Sequence, residues 1–357
     1  MTYELMKLND REILNTLFAC KALGMTTMIH AESYDMIALI VEGLERNKNT
    51  DPYFHAIARP RIAEDEASYR AISLAELADA PMLIVHMSSE VAVQHVRDAQ
   101  TRLLPIHAET CPQYLFLLSE ELKSKPHDHF SGAKHVCSPP LRHDPKDLEG
   151  LWQSIANGTF TTFSSDHAPS KYDAVGGKRL GLIDGIPRFS KIPNGLPGLE
   201  TRLPLLFGQT PACQPPEKAR LTLPRFVQLT ATNPAKLYGL DGVKGSIAAG
   251  YDADFVIWHP GSSGACTISQ ENLHHDIDYT PYEGMQLGNW PRYTILRGQV
   301  VWDHGKGILG KKTDGKYLKR GKGAVLTGRT GNLPRGMVKD ERKFWLPGGP
   351  MALVDGK

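Results

Sequence analysis

The chain has 357 residues, a formal net charge of +2 and 41% hydrophobic residues, enough apolar content for one large core plus a smaller one. That charge balance gives no reason to expect a nucleic-acid partner, and no run approaches the ~20 apolar residues of a membrane span. Five cysteines (Cys20, Cys111, Cys137, Cys213, Cys266) are scattered with no CxxC pair, which argues against a disulfide framework or thiolate zinc site and for a reducing, cytoplasmic setting.

The opening MTYELMKLNDREIL lacks the apolar region of a signal peptide and turns helical at once. Asn9 and Glu12 form a capping box, Ile13, Leu14, Leu17 and Phe18 an apolar stripe, and Gly24 the stop. A β-branched run follows at 26–30, and then a helix capped by Ser33 with Met36, Ile37, Ile40, Val41 and Leu44 on its buried face. A helix is expected between Arg61 and Asp79, a strand over 81–88, a helix from Ser89 to Gln100 and a strand over 103–109. Asp144 caps a helix with Leu148, Leu151, Trp152 and Ile155 on one face, and a strand follows at 160–166.

Apolar strands separated by amphipathic helices imply a parallel sheet covered by helices, either a barrel or a doubly wound sheet. About four such units precede a Gly/Pro-rich stretch, 170–220, with little periodicity. Two short helices (223–231 and 233–239) and β-type segments (244–260 and 292–305) come next, the last read as two strands around Arg297–Gly298. The Pro/Gly-rich end reads as an extended arm, and the basic stretch from Lys311 to Lys322 as a solvated loop.

Three polar residues stand where apolar strands end: His30, His86 and Asp166. In a parallel α/β array such positions face the ligand-binding mouth. Two imidazoles and a carboxylate suit a divalent metal, zinc above all, whose bound water loses its proton near neutral pH. A single histidine after an apolar run is more often a satisfied core residue; three such positions on separate strands remove that preference. His107 and His167 also lie at or in strands and are not read as ligands, and His127–Asp128–His129 is read as a solvent loop.

The segments HAES (30–33), IVHMSS (84–89), AETCPQYL (108–115), CSPPLR (137–142), SSDHAP (164–169), KIPNGLPG (191–198) and TATNPAKLYGL (230–240) together resemble the dihydropyrimidinase/hydantoinase family, as do KGSIAAGYDADFVIW (244–258) and PYEGM (281–285). The resemblance implies a metal-dependent (β/α)8 TIM-type barrel flanked by a β-sandwich, here in part only. It places 1–240 in the C-terminal strand–helix units of the barrel, 241–310 in part of the sandwich and 311–357 in the arm. It implies hydrolysis of a small cyclic amide, a two-zinc site, a cytoplasmic homotetramer, and no nucleic-acid or membrane partner. His30 and His86 match the family's histidines on one metal, and Asp166 the aspartate that binds the other metal and shuttles a proton. Tyr3 matches the tyrosine that donates to the substrate carbonyl, and Ser138 and Asn194 match residues that hold the ring through main-chain groups.

The family's HxH pair and its carboxylated lysine have no counterpart in this sequence, their expected places lying upstream of His30 and just before MTY. A truncated enzyme, weak or inactive alone and prone to associate through edge strands near 26 and 160, is therefore expected. The alternatives are a non-catalytic interaction protein built on the same scaffold, and another cyclic amidase such as an allantoinase.

Overall fold

A computed structural model describes residues 6–323, so Tyr3 and the greater part of the 311–357 arm lie outside the described residues. Helix α1 (Asp10–Leu23) begins with the expected reciprocal cap: Glu12 N–H donates to Asn9 Oδ1 at 3.1 Å, and Asn9 N–H to Glu12 Oε2 at 2.8 Å. Ile13, Leu17 and Phe18 are buried, and Gly24 ends the helix at φ 66°, a conformation glycine adopts without steric cost. After strand β1 (Thr27–Ile29) comes α2 (Tyr34–Arg46). Two expectations fail here. Ser33 occupies the cap position without a side-chain capping bond, and Met36 is exposed while Ile37 is buried.

Short α3 (Phe54–Ala58) precedes α4 (Arg61–Ala78), β2 (Met82–Ile84), α5 (Glu90–Thr101) and β3 (Ile106–Thr110). Ser89 caps α5 by accepting from Ala92 N–H at 3.3 Å. One-turn α6 (Gln113–Phe116) and α7 (Pro145–Ala156) follow, the latter capped by Asp144, with proline at the position where a missing N–H costs nothing. Strand β4 (Thr162–Phe163) completes a parallel sheet of order β1-β2-β3-β4. Neighbours in space are neighbours in sequence, with none of the order reversal of a doubly wound sheet. The sheet's outer strands are β1 and β4, near the residues where edges were expected.

The stretch after β4 holds a hairpin, β5 (Leu182–Ile183) and β6 (Ile186–Pro187), and then α8 (Arg202–Phe207). The two helices expected over 223–239 are one helical run. Helix α9 (Leu223–Val227) passes through a π-turn (Gln228–Thr232) directly into α10 (Asn233–Leu237). Pro234 has no N–H to continue a regular α ladder, and the wider turn absorbs the missing bond.

A second, antiparallel sheet has the order β12-β11-β10-β7, from β7 (Phe255–Trp258), β10 (Pro291–Leu296), β11 (Gln299–Asp303) and β12 (Gly307–Ile308). Strands β8 (Cys266–Thr267) and β9 (Gln286–Leu287) form a separate pair. Most of the β-type run expected over 244–260 is turns, with only Phe255–Trp258 in a ladder. Arg297 (φ 47°) and Gly298 (φ 81°) make the tight turn between β10 and β11, both left-handed as such hairpins require. Trp258 stacks on Phe207 of α8 with ring centroids 3.9 Å apart, packing this sheet against the helices. Among the described residues no helix is long and apolar enough to cross a membrane.

Candidate active site

His30 follows β1, His86 lies just beyond β2 and Asp166 just beyond β4, so all three sit past the C-terminal ends of parallel strands. His86 (φ 42°) and Asp166 (φ 45°) both adopt left-handed backbone. Such conformations cost a side-chain-bearing residue on the order of 1–3 kcal/mol and persist where the surroundings hold them.

The hold on His86 is explicit. Val85 N–H donates to Ile29 O at 3.2 Å before it, and Met87 N–H to Glu109 O at 2.7 Å after it. The Glu64 carboxylate, reaching from α4, accepts from Ser88 N–H at 2.8 Å and Ser88 Oγ–H at 2.6 Å. Arg142 closes the network, donating to Glu64 Oε2 at 2.5 Å, Ser88 Oγ at 3.0 Å and Arg59 O at 2.9 Å. Burial works against the Arg142 charge, but the carboxylates of Glu64 and Glu32 together outweigh it and hold the proton more firmly than usual. Asp65 accepts from Ser89 Oγ–H at 2.5 Å, so two adjacent carboxylates of α4 grip the segment after His86.

Asp166 is framed by Arg202, which donates to Phe163 O at 2.7 Å, and by Ser164 N–H on Thr110 O at 3.1 Å. Beyond it, His167 Nδ1 accepts from Gly198 N–H at 3.2 Å and Leu199 N–H at 3.3 Å. That leaves Nδ1 without a lone pair for a metal.

The His30 and His86 rings meet edge to face with centroids 4.6 Å apart. Glu32 Oε2 lies 2.7 Å from His30 Nε2 and 2.7 Å from Arg59 Nη1. Burial raises the Glu32 carboxyl, but Arg59 and His30 more than reverse this and bring it down to about 2. Burial drives His86 down to about 3, with the neighbouring His30 adding to the effect, so its imidazole is neutral at physiological pH. Its Nδ1 is buried and has no hydrogen-bond partner among the described residues. Asp166 is pushed up by burial and pulled partly back by His30.

This donor set fits part of a metal shell. Neutral imidazoles are ordinary divalent-metal ligands, and a carboxylate on the other ring nitrogen is the usual orienting partner of a metal-bound histidine. Yet among the described residues no three His, Cys, Asp or Glu side chains are placed to hold one ion, so Asp166 does not join the pair as a third ligand here.

Asn194 lines a cavity of about 330 Å³ together with Tyr34, His55, Arg59 and Phe189. Ser138 is not on that wall; its Oγ is buried with no partner among the described residues. His55 donates from Nε2 to Cys137 O at 2.8 Å, next to Ser138, and burial pushes it down to about 3. His127 and His129 are exposed, while Asp128 accepts from Tyr172 O–H at 2.6 Å, as suits a solvent loop. His107 faces Thr161 Oγ1 at 3.2 Å.

The sequence reading missed Glu32, Arg59, Glu64, Arg142 and His55. For Glu32 a signal existed: residues i and i+2 of an extended segment point the same way, so a carboxylate two places after a strand-terminal histidine meets its ring.

Residues 3–301 match the model of the Amidohydrolase family. The chain belongs to the amidohydrolase family. Among its members, this chain is 39% identical over 323 residues to a D-hydantoinase of Ralstonia pickettii, covering 90% of the chain and 66% of that protein. It is 40% identical over 324 residues to a D-hydantoinase of Geobacillus stearothermophilus, covering 90% of the chain and 65% of the relative. The chain thus spans just under two thirds of the length of these curated relatives. The solved amidohydrolase structures it resembles include a dihydropyrimidinase from Brevibacillus agri, with a TM-score of 0.82 at 38% identity over 90% of this chain and 66% of that one. An L-hydantoinase from Arthrobacter aurescens superposes with a TM-score of 0.73 at 27% identity, over 87% of this chain and 64% of that one.

Proposed function

We propose that this chain carries part of the active site of a hydrolase that opens a small cyclic amide, a dihydropyrimidine or hydantoin ring, to an N-carbamoyl amino acid. The observation that carries this reading is the His30–His86 pair, 4.6 Å apart and oriented by Glu32, at adjacent strand ends in a chain so similar to D-hydantoinases. In this reading the four sequential parallel strands are a sector of a (β/α)8 barrel within 1–240. Residues 241–310 belong to a flanking β-sandwich, and 311–357 form an arm.

His30 and His86 would hold a divalent ion, with zinc the commonest choice for imidazole ligands. The chemistry such an ion supplies is Lewis-acid activation of water and of the ring carbonyl. A catalytic zinc takes about three protein ligands, so the described residues provide part of one shell.

The remaining work falls to side chains of this chain. Asp166, its carboxyl raised by burial, is suited to take a proton from water and return it to the ring nitrogen as the C–N bond breaks. Water's oxygen ends in the new carboxylate, and the nitrogen leaves as a ureido N–H. Ser138 and Asn194 would hold the ring amide through main-chain groups, and Tyr3 would donate to the carbonyl oxygen as it gains charge. Asn194, His55 and Arg59 line a cavity of about 330 Å³, room enough for a small polar ring.

The test measures N-carbamoyl product from hydantoin and dihydrouracil, with the chain in zinc or manganese buffer and with Asp166→Ala made both here and in a full-length relative. Ring opening lost in Asp166→Ala is expected. Turnover that survives the substitution in the relative, or a chain that binds neither ring, would end this reading.

A further inference from the structure

Lys178 is fully buried, yet among the described residues it has no carboxylate partner. Its Nζ donates to three backbone carbonyls: Val136 at 3.1 Å, Pro193 at 2.7 Å and Gly195 at 2.9 Å. An ammonium has three N–H donors, and here every one ends on main chain.

Those carbonyls flank two residues of interest. Pro193 and Gly195 stand on either side of Asn194, and Val136 lies two residues before Ser138. Gly195 N–H also donates to Val136 O at 3.0 Å, so the two segments touch directly under the ammonium. The third segment of the site meets them at the same point. Gly195 has φ 118°, and a Cβ there would fall 2.1 Å from Ala168 O, two residues after Asp166. Only glycine lets the chain lie so close.

The lysine is itself delivered by tight packing. A Cβ on Gly177 would lie 1.9 Å from Lys171 O, and Lys178 N–H donates to that same carbonyl at 2.9 Å. An aliphatic side chain would fill this buried space without a polar head, whereas burial pushes the Lys178 ammonium down to about 7. What the ammonium adds is a fixed distance between three backbone stretches.

We infer that Lys178 is a positioning residue that clamps the Asn194 segment onto the Ser138 segment and so sets the backbone wall that grips the ring. This rests on the reading that Ser138 and Asn194 hold a cyclic amide. Lys178 touches no substrate; it acts through the two segments it joins.

The test compares the full chain with Lys178→Met and with Lys218→Met, an exposed-lysine control. Hydantoin and dihydrouracil binding is followed by calorimetry, and zinc binding is measured separately. Lys178→Met should weaken ring binding on the order of tenfold or more, as expected when a binding wall shifts by a fraction of an ångström, with zinc binding and Lys218→Met unchanged. In turnover the loss falls on KM and not on kcat. Ring binding unchanged in Lys178→Met, or lost in parallel with zinc binding, overturns the inference. Should that variant not fold, hydrogen exchange of the wild-type chain decides. Peptides over 133–139 and 192–197 must open as one unit, and independent opening refutes the clamp. If the wild-type chain binds neither ring, the functional reading fails by itself, and the exchange result still decides on the clamp.

Discussion

Glu32 Oε2 is shared between His30 Nε2 and Arg59 Nη1, at 2.7 Å from each. One buried carboxylate thereby fixes a ring at the end of β1 and ties it to the cavity wall that Arg59 lines. A metal-binding imidazole oriented this way is a better ligand, because the carboxylate sets its tautomer and raises its basicity. Glu32→Gln should lower metal affinity about 10- to 100-fold, read by cobalt or zinc titration. Equal affinity in the variant would show that Glu32 has no part in tuning His30.

Asp166→Asn should leave the fold intact, because asparagine is nearly isosteric and tolerates the left-handed backbone of this position. On the proposed role of Asp166 as proton carrier, kcat for ring opening in a full-length relative should fall about 10²- to 10⁴-fold with KM little changed. A matched fall in thermal stability would instead assign the residue a structural role.

Arg142→Met leaves the Glu64 carboxyl, already raised by burial, without its cation and beside Ser88 alone. Breaking a buried pair by removing one partner costs about 3–5 kcal/mol, which urea denaturation would register as a fall in midpoint. Pairing it with Glu64→Gln should recover part of the loss, since the charge then left without its partner is gone.

Acid stability should follow the buried histidines. Burial lowers His55 to about 3 and His135 to about 4, against an ordinary 6.5. Between pH 6.5 and about 4 the unfolded chain takes up protons at both sites while the folded chain refuses them. Stability therefore falls as pH drops, by about 1.4 kcal/mol per pH unit for each histidine fully engaged. The double variant His55→Gln/His135→Gln should show a flatter fall across that window, measured as the pH dependence of Tm. An unchanged slope would mean the two rings are not buried neutral.

Local rules made parts of this fold legible. The Asn9–Glu12 box, the Gly24 stop and the Asp144 cap depend on residues within four positions, and each formed as read. His30, His86 and Asp166 could be found because strand ends in parallel arrays face one mouth. The strands were read too long, since left-handed residues such as His86 end the ladder before the apolar run ends. Hidden altogether were the groups that hold the site: Glu64 and Arg142 are 78 residues apart, and Lys178 reaches carbonyls that no side-chain pattern records. The π-turn at Gln228–Thr232 was read as a break because proline usually ends a helix.

The sequential order β1-β2-β3-β4 also has a consequence for how the molecule is made. Each strand pairs with one synthesised shortly before it, and Glu64 and Asp65 take hold of Ser88 and Ser89 only 24 residues further on. Such short-range contacts close quickly, and a growing chain completes them from the N-terminal side. Of the three strand-end residues, His30 and His86 are made first, and Asp166, beyond β4, is the last to leave the ribosome.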